Sequence, residues 1–184
     1  MARRKEITRD QILDAADAVI LESGGRLFTL DAVARQAGIS KGGLVYSFAT
    51  KDELVAAALE RELTRFQNAA LARAGVAQSD AEIILLAHIE EALEEDGSLA
   101  RMASFLMVML VHAPEMSMPA QTFYRHLFEL FDSKTERGRA IRQAVLAVEG
   151  LFLLRGLGLV AVKEDEWMSV LHTAAESIRS IKLS

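Results

Sequence analysis

The chain has no cysteine among its 184 residues, only two prolines, and 6% aromatic residues. The first absence excludes a disulfide scaffold and any thiolate-ligated zinc site, and it fits a reducing compartment. Scarce proline and scarce aromatics, beside 51% hydrophobic residues, suit helices better than sheets. No hairpin dipeptide sits between alternating runs, so strand signals are missing too. The opening "MARRKEITRD" is charged and no apolar core follows it. No signal peptide is therefore expected, and the expected localisation is cytoplasmic.

Acidic charge dominates, with a formal net charge of −5, but it is unevenly placed. Residues 1–51 carry eight Lys or Arg against six acids, and the rest of the chain carries the deficit. Between Asp31 and Asp52 no acid occurs, only Arg35, Lys41 and Lys51. A local basic strip on an acidic protein is the footprint expected for phosphate contact.

One stretch, "AVLAVEGLFLLRGLGLVAV" (144–162), has the length and apolarity of a membrane span. Glu149, Arg155 and three glycines within it argue against that reading, because charge at membrane depth is costly. No membrane partner is expected. A helix covered on two sides is the competing reading.

What is present is helical period. Ile12, Ala15, Ala16, Val19 and Ile20 mark one apolar face, and Gly24-Gly25 ends that helix. Thr29 caps a short second helix with Leu30, Val33, Ala34 and Ala37 inside, closed by Gly38. Ser40 caps a third, and Thr50-x-x-Glu53 is a capping box that opens a long fourth helix reaching about Ala74. Further helices are predicted at roughly 80–95, 98–112, 119–132, 136–159 and 164–181. The expected fold is all-α: a three-helix unit over residues 1–50, then a larger helical unit over 51–184.

The second and third helices are joined by "AGIS", a tight turn of helix-turn-helix type that places the third helix in a DNA major groove. That third helix contains Gly42 and Gly43, each costing about 1 kcal/mol relative to alanine. Two readings explain them. Either a bare first turn lets the backbone approach a phosphate, or the glycines admit a neighbouring helix.

The stretch "TLDAVARQAGISKGGLVYSFATKDELVAAAL" resembles the DNA-binding motif of TetR-family transcriptional regulators over about residues 8–60. The match rests on Thr29, Val33-Ala34, Ala37-Gly38-Ile39-Ser40, Lys41-Gly42, Leu44, Phe48, and Lys51 followed by Glu53-Leu54. The resemblance implies phosphate or groove contacts at Thr29, Lys41, Gly42, Tyr46 and Lys51. With the cap Ser40, Gly43, Ser47 and the tail residues Arg3 and Arg4, these are the candidate DNA-binding residues. Tyr46 has a second reading as a core aromatic. Val45, Ser47 and Ala49 depart from the family's usual tyrosine, histidine or tyrosine, and proline, which leaves base preference open. The resemblance also implies a helical ligand-binding and dimerisation domain after residue 50.

In that domain the helix at 136–159 is apolar nearly all round from Ala144, so a partner chain is the expected second covering; a central core helix in a monomer is the alternative. Ala140, Ala144, Ala147, Gly150, Leu151 and Leu154 would meet the partner. The last helix would add Val170, Leu171, Ala174 and Ile178, the four-helix interface that the resemblance implies. Met102, Phe105, Met109 and His112 share one helical face and are the expected pocket wall, with Phe123, Glu149 and Phe152. Methionines at that spacing also suit plain core, and His112 also suits a helix C-cap. Glu149 and Arg155 suit a ligand contact or an inter-subunit ion pair.

Enzyme chemistry finds no footing. No G-x-S-x-G or S-x-x-K context occurs. The Glu-x-x-His order of a di-iron bundle is reversed in His88-x-x-Glu91, His112-x-x-Glu115 and His126-x-x-Glu129, pairs expected on solvated helix faces. No cofactor or metal is expected. The expected function is a homodimeric repressor that leaves a palindromic double-stranded operator when a small apolar effector binds. The alternative is a ligand-independent DNA-binding adaptor whose second domain holds a protein partner.

Overall fold

A computed structural model describes residues 7–23, 28–75, 81–94, 117–156 and 158–180. Among these residues the chain is all-α. The helices are α1 (Arg9–Ser23), α2 (Leu30–Gln36), α3 (Lys41–Ser47), α4 (Lys51–Ala74), α5 (Ala81–Glu94), α6 (Met118–Glu129), α7 (Glu136–Gly156) and α8 (Glu164–Ser180). The helix expected at 98–112, with Met102, Phe105, Met109 and His112, lies outside the described residues, as do Arg3 and Arg4.

Local chemistry sets most of the helix ends. Thr8 and Gln11 cap α1 reciprocally: the Gln11 backbone N–H donates to Thr8 Oγ1 at 3.2 Å, and the Thr8 N–H to Gln11 Oε1 at 3.1 Å. Thr29 Oγ1 accepts from the Ala32 N–H, Ser40 Oγ from Gly43, and Thr50 Oγ1 from Glu53. Glu53 reaches back to the Ala49 N–H at 2.9 Å, one residue before the cap. Gly38 ends α2 at φ +69, while the Ile39 N–H returns to the Ala34 carbonyl. Only glycine takes that φ without steric cost.

Two cores result. The first gathers Ile12, Ala16 and Ile20 of α1, Phe28, Val33 of α2, Leu44 and Phe48, and also Leu54, Val55, Ala58 and Leu59 of α4. It therefore crosses the boundary expected at residue 50. The second joins Leu85 and Ile89 of α5, Phe123 and Leu127 of α6, Ile141, Val145 and Val148 of α7, and Trp167, Leu171 and Ile178 of α8. Leu63 of α4 packs against both. Helix α4, about 36 Å long at 1.5 Å per residue, is thus shared by both units.

An ion-pair cluster fixes α1 to α4. Arg61 pairs with Asp14 at 2.8 Å and with Asp17, and donates to the Asp10 carbonyl at 3.1 Å. Arg61 and Asp17 are 12% and 13% exposed, so water screens this pair little. Burial, opposed by Arg61 and reinforced by Glu62, holds the Asp17 carboxyl up to about 6.

The span-like stretch does not form one helix. Helix α7 stops at Gly156, and a turn with Gly158 at φ +65 follows. Among the described residues no helix is long and apolar enough to cross a membrane. Nor is α7 covered all round within the protomer. Ile141, Ala144, Val145 and Val148 are buried, whereas Leu146 is 50% and Leu154 40% exposed.

Candidate nucleic-acid interface and effector cavity

Helix α3 is held from behind by Leu44 and Phe48, both fully buried. Each such burial contributes about 1.5–3 kcal/mol, enough to offset two glycines at about 1 kcal/mol each. Arg9 ties down the far end: its guanidinium donates to the Ser47 carbonyl at 2.5 Å and lies 4.0 Å from the Phe48 ring centroid.

The outward side of α3 is bare. A Cβ on Gly42 would meet nothing within 4 Å, and one on Gly43 only Ser40 Oγ at 3.4 Å and Ile39 Cβ at 4.0 Å. Among the described residues no helix packs there, so the packing explanation of the two glycines fails. Tyr46 is 94% exposed, which rules out the core-aromatic reading. Thr29 and Ser40 use their hydroxyl oxygens as cap acceptors and keep their hydroxyl hydrogens for another partner. Lys51, at the start of α4, holds its ammonium 5.6 Å from the Phe28 ring centroid.

The acid-free strip has an acidic neighbour in space. The strip between Asp31 and Asp52 lacks acids in sequence, yet Asp31 itself reaches Lys41 at 2.8 Å. Helix α2 lies against α3, so residues ten apart become partners.

The second unit holds a cavity that the sequence indicates only in part. An inner chamber of about 30 Å³ is lined by Phe66, Leu85, His88, Ile89, Ala92, Leu127, Val145, Val148 and Glu149. An outer chamber of about 190 Å³ shares His88 and Leu127, and adds Gln67, Leu71, Ile84, Phe123, His126 and Leu130. Of the expected pocket residues, Glu149 lines the inner chamber and Phe123 the outer. Phe152 packs on the second core and lines neither. Met118, in the methionine cluster, is exposed.

His88 lines both chambers, and Tyr124 reaches the site through Glu149. His88, expected on a solvated face, is partly buried, with ring centroids 5.6 Å from Phe66 and 6.2 Å from Phe123. Burial lowers its pKa, so the ring is neutral. Its Nδ1 lies 2.7 Å from the Ile84 carbonyl, so Nδ1 carries the hydrogen and Nε2 is left an acceptor. Tyr124 donates its phenol to Glu149 at 2.8 Å. Burial pushes the Glu149 carboxyl above the ordinary carboxylate range, against the opposing pull of that hydrogen bond. Arg155 instead pairs with Glu164 at 2.6 Å and lies over Trp167. The expected inter-subunit pairing of Glu149 and Arg155 is thus replaced by partners within the protomer for both.

Comparison with known proteins identifies the architecture. The family described as "Bacterial regulatory proteins, tetR family" matches residues 12–58, and "Tetracyclin repressor-like, C-terminal domain" matches residues 82–179. The chain belongs to the TetR family of transcriptional regulators. Members of that family are regulators and not enzymes. Over 161 residues it is 32% identical to the HTH-type transcriptional regulator BetI of Cronobacter sakazakii, covering 84% of this chain and 79% of that relative. Among solved structures it resembles the multidrug binding protein EbrR complexed with ethidium. That match has TM-score 0.63 and 26% identity, covering 90% of this chain and 97% of the other. The fatty acid degradation regulator FadR from Bacillus halodurans shares the fold, at TM-score 0.68 and 18% identity over 96% of both chains.

In this TetR-family chain the expected interface residues divide into two groups. Ala147 and Leu154 are exposed, and Ala140, Gly150, Leu151 and Val170 are half-buried. Ala144, Leu171, Ala174 and Ile178 are instead buried in the protomer's own second core. The apolar stripe of α8 faces inward against α5 and α7, so those side chains support α7 from behind and present nothing to a partner.

Proposed function

We propose that this regulator is a homodimeric repressor that grips a palindromic operator and leaves it when a small, largely apolar ligand fills the second unit. The observation that carries the reading is the bare first turn of α3. Gly42 faces open space and Gly43 only its own cap Ser40 and Ile39, beside an exposed Tyr46, as a backbone-to-phosphate approach requires. Two such helices must enter successive major grooves about 34 Å apart, which one motif cannot do. Leu146, Ala147, Gly150 and Leu154 on α7 form the apolar stripe for pairing.

Release then follows from a population shift. Ligand must favour a spacing of the two heads that the operator does not accept. Helix α4 is the shared element, with Leu54 to Leu59 in one core and Phe66 against the other. The EbrR comparison supports a ligand-holding second unit, since that relative is described as binding multiple drugs.

Selection of bound fragments from random DNA tests the first half, and screening small molecules for release tests the second. A recovered palindrome and a releasing compound are the expected results. Binding without sequence preference would end the operator reading. A palindrome with no releasing compound, together with a co-purifying protein on the second unit, would favour the adaptor.

A further inference from the structure

We infer that the inner chamber is a subsite for the ammonium head of an arylalkyl or alkyl primary amine, with Glu149 and His88 as its acceptors and the outer chamber as the seat of the apolar tail. This inference rests on the effector-sensing reading of the second unit and names the chemistry of its ligand.

The polar lining is one-sided. Among the nine described residues around the inner chamber only His88 and Glu149 are polar. His88 turns its hydrogen to Ile84 and so has an acceptor nitrogen left. Glu149 already receives a hydroxyl hydrogen, from Tyr124. None of the nine is a lysine or an arginine, so none of them offers a cation to an anionic head. A cationic donor satisfies both groups, and charge-assisted hydrogen bonds are roughly twice as strong as neutral ones. The Phe66 ring beside His88 adds a face attractive to a cation.

Size selects among cations. A chamber of about 30 Å³ holds one water-sized group. An –NH3⁺ head is compact and carries three donors, whereas a trimethylammonium head is larger and carries none. The chamber of about 190 Å³ shares His88 and Leu127 with the head chamber, and its apolar wall of Leu71, Ile84, Phe123 and Leu130 suits a phenyl or short alkyl tail. With no cation beside it, burial favours the protonated Glu149 carboxyl. The ammonium displaces that proton to solvent and meets a carboxylate. His88 and Tyr124 are the other titratable groups facing Glu149 among the described residues, and both are neutral at pH 7.

Calorimetric titration of the full-length protein with three probes of matched tail tests this: 2-phenylethylammonium, neutral 2-phenylethanol, and phenethyltrimethylammonium. The first should bind at least tenfold more tightly than either of the others. Glu149→Gln keeps the acceptor for Tyr124 and removes the charge. It should erase the preference. Ala92→Leu, which fills the head chamber from its wall, should erase the preference as well. Equal binding of amine and alcohol, or a preference that survives both variants, overturns the ammonium subsite yet leaves the sensor intact. If none of the three binds, the subsite is overturned. The sensor reading then falls only if the screen for operator release is also empty.

Discussion

Lys41 Nζ lies 2.8 Å from the Asp31 carboxylate, so the lysine that opens α3 is already paired within the protein. Both side chains are more than half exposed, and pairs of that kind contribute about 0–1 kcal/mol. On the proposed reading, exchange of Asp31 for a phosphate is therefore inexpensive, but the carboxylate would stay near the phosphates and repel them. Asp31→Asn should tighten binding to operator and scrambled duplex alike, by about fivefold, or ~1 kcal/mol. The slope of log affinity against log salt should steepen by about 0.9 for one more cation released to phosphate. Fluorescence anisotropy over a salt series reads both quantities. Unchanged affinity would place Lys41 away from DNA.

The first turn of α3 offers a sharper test. Since a side chain at Gly43 would meet only Ser40 Oγ at 3.4 Å and Ile39 at its edge, Gly43→Leu has room in the free protein. Its melting temperature should stay within about 3 °C of wild type, because leucine is the better helix former and nothing is overpacked. Binding to every duplex should fall by at least a hundredfold. A variant that unfolds, or one that still binds, would show that the glycine serves something other than backbone approach.

Helix caps and the inward faces of α1 to α3 are legible in the sequence because they are local. Thr29, Ser40 and Gly38 act through neighbours within five residues. The apolar stripe of α8 is visible for the same reason, but periodicity says which face is apolar and not what covers it. Leu171, Ala174 and Ile178 therefore read in sequence as partner contacts, although α5 and α7 bury them. The environment of His88 is hidden because it is made by Phe66 of α4 and Phe123 of α6. The pairing of Tyr124 with Glu149 is likewise a contact between α6 and α7, and no spacing along one helix reports it.

The clamp between α1 and α4 carries a pH signature. Asp17 has a pKa raised from 3.8 to about 6, burial being the largest cause. A raised pKa in the folded state means that its stabilising share is full below 3.8 and is lost as pH rises through about 6. From pH 5 to pH 7.5 that share should fall by about 1 kcal/mol, since a tenfold difference in proton affinity between folded and unfolded chain is worth about 1.4 kcal/mol. Asp17→Asn has no such titration. Urea unfolding at the two pH values should show wild type losing about 1 kcal/mol more than the variant. An equal change in both would mean that Asp17 ionises in the folded protein as it does in water.

In the proposed homodimer the pairing surface is the outer side of α7. Its inner residues Ile141, Val145 and Val148 are buried in the protomer, and its outer residues Leu146, Ala147, Gly150 and Leu154 are not. A Cβ on Gly150 would touch nothing within 4 Å, so glycine there is not required by its own chain. Close approach of a second α7 would require it. The protein should be a stable dimer without DNA, with an interface of the obligate, apolar kind. Gly150→Arg has space in the free protomer, so the fold should survive. In the dimer it would place an unpaired charge in a desolvated contact, a cost of about 3–5 kcal/mol. Sedimentation equilibrium should then find wild type dimeric at micromolar concentration and the variant largely monomeric, with operator affinity lost in step. Circular dichroism of the variant guards against simple unfolding. A wild-type monomer would remove the pairing of heads on which release depends, and a dimeric variant would move the interface off α7.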